Sequence, residues 1–492
     1  MSALPVSSAG ATSPAASSSS SLVATPALEA GSGQPAEAAV RELSLRLVDM
    51  VMRAGGQSAE VVVSRGSELS VRVRAGEAEL VHEAQSKHVG LRVFKDHRSS
   101  LTYTSDFSEA GLGQFVQNAV ALCRLAEPDP LNELPGRDEL VVPADAPREL
   151  HLWDDSTMAI DAAAALQIAK ECEASALSVS DKLRAGHGSS YGRTIGVGSF
   201  ACGDAGGILF VGSSRSTYQS MSVEVLCDDA GGKKRSGSYW SGGRFRSQLM
   251  APEAVGREAG ARALRRLGAE KIATCELPVV FDPELARTLL RTLAGVISGG
   301  AIYRKGSYLC GREGTLIASP LVNVVDDPLI DRLPGSRLFD GEGLPSRRNQ
   351  VVRDGVLLTY LLDTYSARKL GRKSNGCAGR SGAGSPHVTT SNFILEPGTQ
   401  SGSEIVADLP RGLYVTEMMG FGFNPVTGDF SRGAGGYLIV DGKLGQPVSE
   451  VTISANFDDL LKNIDAVGND LDRRSSTMTP TVRVSRMTIA GK

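Results

Sequence analysis

The chain has 492 residues, of which 41% are hydrophobic and 22% charged, as is typical of a soluble globular protein with room for two or three cores. The formal net charge of −3 argues against a general nucleic-acid binder. The seven cysteines contain no Cys-x-x-Cys pair, which excludes an obvious disulfide framework or structural zinc site and favours a reducing compartment. Since no apolar run could span a membrane and no secretory signal pattern begins the chain, we expect a cytoplasmic protein.

In the first part of the chain, composition and hydrophobic periodicity predict a tail followed by an α+β domain. Residues 1–36 are rich in Ser, Ala, Pro and Gly and are expected to be disordered. A helix from Glu37 to the Gly55-Gly56 pair precedes a period-two meander of strands. Further helices are predicted after the N-cap Ser108, over residues 161–177 and over residues 253–267. We therefore expect an N-terminal α+β domain over residues 37–274, with a middle region from about residue 150.

The second part, residues 275–492, is predicted to be rich in β-structure. It opens with the buried strand ELPVVFD and the amphipathic helix PELARTLLRTLAGVIS, which we expect to end at Gly299-Gly300. Gly-rich segments with strand-like alternation follow to the C-terminus. The fold class is thus α+β, with an N-terminal α/β domain of strand meander and helices and a β-rich C-terminal domain.

The stretch HEAQSKH, residues 82–88, is similar to a zinc peptidase signature. It lies in a segment of β-period, where residues six apart are separated by roughly 20 Å. One ion cannot bridge His82 and His88 at that distance, unless a tight turn falls between them. We interpret them as solvent-facing histidines of a strand.

Three other stretches contain candidate site residues. Cys377 has His387 nearby, but its Gly/Ser-rich surroundings offer nothing to activate a thiolate, so a flexible connector is expected there. Residues 233–246 mix basic and aromatic side chains, which can grip single-stranded nucleic acid, although an exposed hairpin is favoured. Residues 418–437 form a long Gly-rich loop between two strands, which would either line a peptide groove or only build turns.

The C-terminal half resembles one known family. The segments SGGAIYRKGSYL, LLDTYSARKLGRKSNGCAG, NPVTGDFSRGAGGY and AVGNDLD are similar to the TldD/TldE family, also known as PmbA or modulator of gyrase. The resemblance extends from about residue 40 to the end. It implies a two-subunit zinc peptidase that cleaves unstructured polypeptides, including leader segments of modified peptides. In that family the TldD-type subunit holds the metal through a helical His-Glu-x-x-x-His motif and a late Cys.

The resemblance also implies where the metal ligands would lie in this chain. Anchored on YRKGS, the two His positions and the Glu position fall on Arg291, Val296 and Thr292, and the late Cys position falls on Val467. None of these side chains is a suitable zinc donor, and none can serve as a base that activates water. The chain therefore resembles the TldE/PmbA-type subunit, with no cofactor of its own and zinc expected on the partner.

The implied function is that of a non-catalytic subunit in a heterodimer with a TldD-type chain. It would shape the chamber and bind an unfolded polypeptide or leader peptide, with no nucleic acid and no membrane involved. Backbone pairing with an exposed strand would give affinity with little sequence preference. Arg304, Lys305, Asn424, Asp429 and Arg432 are the expected substrate-binding residues.

Three alternatives remain at this point. The chain could be an active metallopeptidase with an unrecognised metal site, or a homo-oligomeric peptide-binding protein without catalysis. A role in DNA topology, suggested by the gyrase-related family name, is disfavoured by the weak net charge and by the absence of a DNA-binding motif.

Overall fold

The computed structural model describes residues 33–147, 149–382 and 384–492. The predicted disordered tail therefore lies outside the described residues, except at its end. Helix α1 begins at Gly33, four positions before the predicted start, and it ends at Arg53 just before Gly55, whose φ is 91°. The helix thus takes up the last residues assigned to the tail.

The N-terminal half contains one long antiparallel sheet and its covering helices. Its elements in chain order are α1 (Gly33–Arg53), β1 (Ser58–Arg74), β2 (Glu77–Lys95), β3 (Arg98–Thr104), α2 (Glu109–Cys123), α3 (Asp155–Met158), α4 (Ala162–Leu177), β4 (Leu183–Asp204), β5 (Gly207–Asp228), β6 (Lys234–Gly243) and α5 (Pro252–Arg265). The strands lie in the order β3-β2-β1-β4-β5-β6. The sheet is therefore continuous through the predicted middle region.

Helices cover one face of this sheet in two groups. Helices α1 and α2 pack on one part of the sheet, where Val48, Val61 and Val116 belong to the same buried cluster. Helices α4 and α5 pack on the other part through a cluster that includes Ala169 and Ala259. Alternate strand residues point to this face, which explains the period-two pattern of the sequence.

The N-terminus of α2 is capped as predicted. The Ser108 hydroxyl accepts a hydrogen bond from Gly111 N at 3.1 Å.

The C-terminal half has short helices between many strands. Its elements are β7 (Cys275–Phe281), α6 (Pro283–Val296), α7 (Gly299–Tyr303), β8 (Val324–Asp326), β9 (Asn349–Arg353), β10 (Val356–Leu357), α8 (Thr364–Lys369), β11 (Ala378–Gly379), β12 (His387–Val388), β13 (Phe393–Leu395), α9 (Gly402–Ala407), β14 (Arg411–Met419), β15 (Asp429–Val440), β16 (Lys443–Asn456), α10 (Phe457–Lys462), β17 (Ile464–Val467), β18 (Thr477–Met478) and β19 (Val482–Ala490). The predicted division at residue 274 falls between α5 and β7.

Two larger sheets organise this half. Strands β7, β14, β15, β16 and β19 pair in a closed ring, because β16 pairs with β19 as well as with β15, and β17 adds to β19. A second sheet has the order β10-β9-β8-β13-β18. Helix α6 packs its apolar stripe, including Leu289 and Leu293, into the core that the two sheets share. The predicted α+β class with a β-rich C-terminal part is confirmed.

Two local predictions in this half are wrong. Gly299 and Gly300 do not end a helix; α6 already ends at Val296, and the two glycines begin α7. The Gly-rich stretch 418–437 is also not one long loop, because β14 runs to Met419 and β15 begins at Asp429. Glycines inside β15 sit where the backbones come close: a Cβ on Gly436 would lie 1.8 Å from Tyr414 O. Close packing, rather than turn formation, accounts for them.

Aromatic and charged contacts join the two halves. Phe200, Phe210, Phe339 and Leu344 belong to one small cluster that spans the halves.

No helix among the described residues is long and apolar enough to cross a membrane.

Candidate functional site

The candidate site is a cleft of about 390 Å³ between the two halves, which we call the junction cleft. Its walls come from β2, from the segment after α2, from α7 and α8, and from the segment around β12. The lining residues are Arg92, Asp129, Asn132, Ser298, Gly300, Tyr303, Arg304, Asp363, Tyr365, Ser366, Ser385, Pro386, His387 and Val388. Most of these side chains are polar, so the cleft suits a polar or charged ligand.

Direct contacts across the junction fix the two walls relative to each other. Tyr365 Oη on α8 donates to Asp129 Oδ2 at 2.8 Å, and Lys369 Nζ lies 3.9 Å from the same oxygen. Burial acts to raise the pKa of Asp129, but the Tyr365 hydroxyl, the Leu131 N–H and the Lys369 charge together hold it below its usual value. Asp129 is therefore an ionised anchor for α8.

Arg304 lines the cleft and is the one cation there without a carboxylate partner among the described residues. This residue follows α7 and is exposed, and its guanidinium carbon lies 5.1 Å from the centroid of the Tyr303 ring. Arg304 Nη1 also donates to Tyr303 Oη at 3.0 Å. Within the described parts of the chain, no carboxylate lies within salt-bridge distance of Arg304. Its charge is thus available to an anionic group of a ligand.

A cluster of buried charges adjoins the cleft, and we call it the buried charge cluster: Glu60, Arg92, Arg380, Asp340 and Glu342. Arg380 and Arg92 both donate to Glu60 Oε2, the latter at 3.3 Å. Thr364 N, at the start of α8, donates to Glu342 Oε2 at 2.7 Å. The cluster therefore ties β1 and β2 to the segment that carries α8.

The pKa values in this cluster reflect burial and its charges. Burial acts to raise the pKa of Glu60, yet the charges and hydrogen bonds of Arg380 and Arg92 bring it below its usual value. The pKa of Glu342 is raised to about 8 by burial, by Asp340 and by Glu60. Burial also raises the pKa of Asp340, because the Arg337 charge and three backbone N–H groups do not fully compensate for it. Glu342 therefore favours its protonated form near neutral pH.

The predicted substrate-binding residues fall in three places. Arg304 lines the junction cleft, and the neighbouring Lys305 is exposed beside it with a φ of 55°. Asn424 and Asp429 lie at the turn between β14 and β15, and Arg432 lies on β15 itself. The turn adjoins the segment after Arg304, since Tyr308 N donates to Pro425 O at 2.9 Å.

The side chains at this turn are engaged locally. Asn424 Oδ1 accepts from Val426 N at 3.0 Å, and Asp429 Oδ2 accepts from Thr427 Oγ1 at 2.6 Å. The Arg432 guanidinium carbon lies 5.6 Å from the centroid of the Phe430 ring. These contacts build the turn; Asn424 and Asp429 are both exposed and keep further acceptor capacity.

Three of the positions that the resemblance assigned to metal ligands lie at the end of α6. Arg291 is exposed, while Thr292 Oγ1 donates to Thr288 O at 2.8 Å within the helix. Val296 is 1% exposed and belongs to the main C-terminal core. Val467 lies on β17 opposite Val482 and belongs to the same core. No group of three or more His, Cys, Asp or Glu side chains among the described residues is arranged to hold a metal ion.

The histidines of HEAQSKH lie on one continuous strand without a turn between them. In the pairing of β2 with β1, His82 is opposite Ser70 and His88 is opposite Ser64. Because both point to the same face six residues apart, roughly 20 Å separates them, and a shared metal ion is excluded. His82 is exposed as predicted, whereas His88 is half-buried and lies 2.7 Å from Ser64 Oγ through Nε2.

Cys377 lies in the core and not in a flexible connector, so that prediction is wrong. Its side chain is fully buried, Asn349 Nδ2 donates to its Sγ at 3.6 Å, and the flanking residues pair as β11 and β12. Burial, with the nearby Asp326 charge, raises the pKa of the Cys377 thiol well above its usual value. A neutral buried thiol is not a nucleophile.

The basic and aromatic segment 233–246 is also not an exposed hairpin. Its strand β6 is packed against α5, and Trp240 Nε1 donates to Glu284 Oε1 at 2.6 Å. The guanidinium of Arg474 lies 4.9 Å from the Trp240 ring, and Arg235 makes a buried ion pair with Asp229. These side chains hold the two halves together and are not free to stack on nucleic-acid bases.

Sequence reasoning missed most of the junction cleft. Asp129 occurs in a loop that gave no functional signal, and Glu342 and Arg380 are charged residues in Gly-rich segments that resemble exposed turns. Of the lining residues, the sequence singled out only Arg304, through its position beside a family motif, and His387, through its position near Cys377. No periodic pattern marks a charge that is buried by a distant segment.

Family models and known proteins of one family match most of the chain. Family models match residues 59–123 as PmbA/TldA metallopeptidase domain 1, 157–267 as the central domain and 274–491 as the C-terminal domain. The chain is 34% identical to metalloprotease PmbA of Escherichia coli O157:H7 over 89% of its length and 94% of that protein. It is 31% identical to the PmbA homologue of Haemophilus influenzae over 90% of its length and 94% of that protein.

Solved structures show the same fold. A protein from Bacteroides thetaiotaomicron, described as a candidate modulator of DNA gyrase, superimposes with a TM-score of 0.83 at 25% identity, covering 92% of this chain and 99% of that one. TldE from Thermococcus kodakarensis gives a TM-score of 0.80 at 20% identity, covering 91% of this chain and 99% of that one.

Proposed function

Because the chain belongs to the PmbA/TldD metallopeptidase family, we propose that it is a non-catalytic subunit of the TldE/PmbA type. It acts with a TldD-type chain that carries His-Glu-x-x-x-His and the zinc ion. The complex degrades or processes unstructured polypeptides in the cytoplasm. This chain completes the chamber and holds the substrate.

The observation that supports a non-catalytic role is the set of side chains at the end of α6. An exposed guanidinium at Arg291, a helix-bonded hydroxyl at Thr292 and a core side chain at Val296 do not fit a zinc ion. Zinc in peptidases requires imidazole, carboxylate or thiolate donors that converge on one point. Val296 is packed into the main core and offers no donor atom to a metal ion.

The junction cleft and its rim support a role in substrate binding. Arg304 and Lys305 supply positive charge beside a polar cleft, and the Asn424–Asp429 turn adjoins the same segment. We propose that Arg304, Lys305 and Arg432 bind acidic groups of the substrate. Asn424 and Asp429 form hydrogen bonds with its backbone. This distribution gives affinity for acidic, unfolded segments without strict sequence preference.

The decisive experiment measures zinc and cleavage for the full chain purified alone in zinc-replete buffer. We expect far less than one zinc per chain by elemental mass spectrometry, and an unstructured fluorogenic peptide should remain uncut. Addition of a TldD-type chain should give cleavage that a chelator stops. One zinc per chain together with chelator-sensitive cleavage by the chain alone would refute the proposal and establish the active peptidase alternative.

The substrate role is tested in the reconstituted complex. Arg304→Ala should raise KM for an acidic peptide with little change in kcat, because the interaction is with bound substrate and not with the reacting atoms. Arg348→Ala is the matched control, since Arg348 is also exposed but already pairs with Glu396 at 3.0 Å. The double variant Asp429→Ala/Arg432→Ala should impair cleavage as well. Unchanged cleavage by an intact complex would count against the assignment at the turn.

A further inference from the structure

We propose that the outer edge of β2, residues 80–88, is the strand to which the unfolded substrate adds, with the chain then passing into the junction cleft. This inference rests on the proposed function and specifies the mode of substrate recognition. The occupant is a single extended polypeptide segment.

The edge is free because the two neighbours of β2 differ in length. Strand β1 pairs with β2 from Glu77 to Phe94, whereas β3 pairs only with residues 89–95. No other described residue pairs with positions 77–88. In an antiparallel strand alternate residues direct their N–H and C=O groups to each side, so about half of residues 80–88 present unused groups at this edge.

This edge lacks two of the usual protections against strand addition, a proline and a bulge. It contains no Pro, and its pairing with β1 is regular from Leu80 to His88. Leu80 and Val81 are 43% and 50% exposed, so apolar surface accompanies the free backbone groups. Long unshielded edges attract another strand, and natural proteins cover them unless binding is their role.

The charged side chains of this segment are held on its faces and leave the edge open. Glu83 Oε1 lies 3.4 Å from Arg193 Nη2, which draws its side chain over the sheet. Lys87 Nζ lies 5.2 Å from the centroid of the Phe107 ring. Each of these two charges thus has a partner on a face of the sheet.

Residues on both faces of the sheet flank the free edge at its His88 end. The space beside the edge there suits one extended chain better than a folded partner. Phe107 flanks Lys87 on one face, and on the other face a Cβ atom on Gly382 would lie 3.6 Å from His88 Nε2. Thr104, the last residue of β3, is paired with Val89 and closes the edge there. An added strand must leave the sheet beside His88, and Arg92, on the same face of β2, lines the junction cleft. The edge therefore ends four residues before Arg92, at the wall of the junction cleft.

The test is direct binding of a fluorescent unstructured peptide to the full chain, without any catalytic partner. Ala84→Pro and Gln85→Pro are made separately. Adjacent residues of a strand point their backbone N–H groups to opposite sides. One of the two prolines therefore removes an N–H group that faces the free edge, and we call it the outward variant. The other proline removes an N–H group that forms a hydrogen bond with β1. The outward variant should keep the wild-type melting temperature and lose peptide affinity about tenfold or more. Circular dichroism identifies which variant is which.

A second arm separates backbone pairing from side-chain contacts. A peptide with alternate N-methylated amides should bind at least about tenfold more weakly, since it cannot pair with a strand edge. Equal binding of the methylated peptide, or unchanged binding by the outward proline variant, would overturn the inference. If that variant instead alters the oligomeric mass in light scattering, the edge is a subunit interface and the inference fails. The zinc and cleavage results for the proposed function are independent of these outcomes.

Discussion

Arg380 is predicted to be among the most sensitive positions for stability, because it neutralises a carboxylate that water cannot reach. Glu60 is 1% exposed, and the Arg380 and Arg92 side chains are 7% and 11% exposed. Arg380→Met removes one of the two cations and retains a side chain of similar length. Glu60 is then left with Arg92 alone, and Asp340 and Glu342 lie nearby.

The expected loss follows from the burial of these groups. Removing one partner of a buried ion pair costs roughly 3–5 kcal/mol, and the remaining Arg92 places the expected loss at about 3 kcal/mol. In the double variant Glu60→Gln/Arg380→Met no unpaired carboxylate remains, so the loss should be smaller than the sum of the single losses by about 1–3 kcal/mol. Urea unfolding followed by circular dichroism measures each free energy of unfolding.

Arg348→Met serves as the matched control. Arg348 forms an ion pair of 3.0 Å with Glu396, but its side chain is 47% exposed, so its removal should cost less than about 1 kcal/mol. If Arg380→Met is no more destabilising than Arg348→Met, or if the double-variant losses simply add, the buried charge cluster does not hold the two halves together.

Other predictions concern the same interior. Since the pKa of Glu342 is raised to about 8, the folded chain keeps a proton that the unfolded chain releases above about 4.5, so stability should fall as pH rises between these values. Glu342→Gln should flatten that decline, which urea unfolding at pH 5 and pH 8 would measure; an unchanged slope would contradict the pKa shift. Cys377 should resist iodoacetamide at pH 8 until the chain is unfolded, and its early modification in peptide mass mapping would show that the thiol is accessible. Gly237→Ala should lower the melting temperature, because the new Cβ would lie 2.2 Å from Ala263 N. Gly113→Ala in α2 has open space and should stabilise by about 0.5–1 kcal/mol; equal effects of the two changes would refute the packing argument.

Local patterns in the sequence determined much of the secondary structure and the fold class. The alternation in the second half of β1, the N-cap at Ser108 and the apolar stripe of α6 each depend on residues a few positions apart, and each was predicted. The geometry that separates His82 from His88 also follows from the period of a single strand. The family resemblance added the position of Arg304.

The tertiary structure alone decided which charges are buried and where the halves meet. Arg380 and Glu60 are 320 positions apart, and Tyr365 and Asp129 are 236 apart. Arg380 and Glu342 lie in Gly-rich segments, whose local sequence is that of an exposed turn. A charged residue there becomes buried only because a distant strand packs over it, and hydrophobic periodicity carries no information about that partner. The free edge of β2 likewise depends on where β3 ends relative to β2, which is a property of pairing and not of either strand alone.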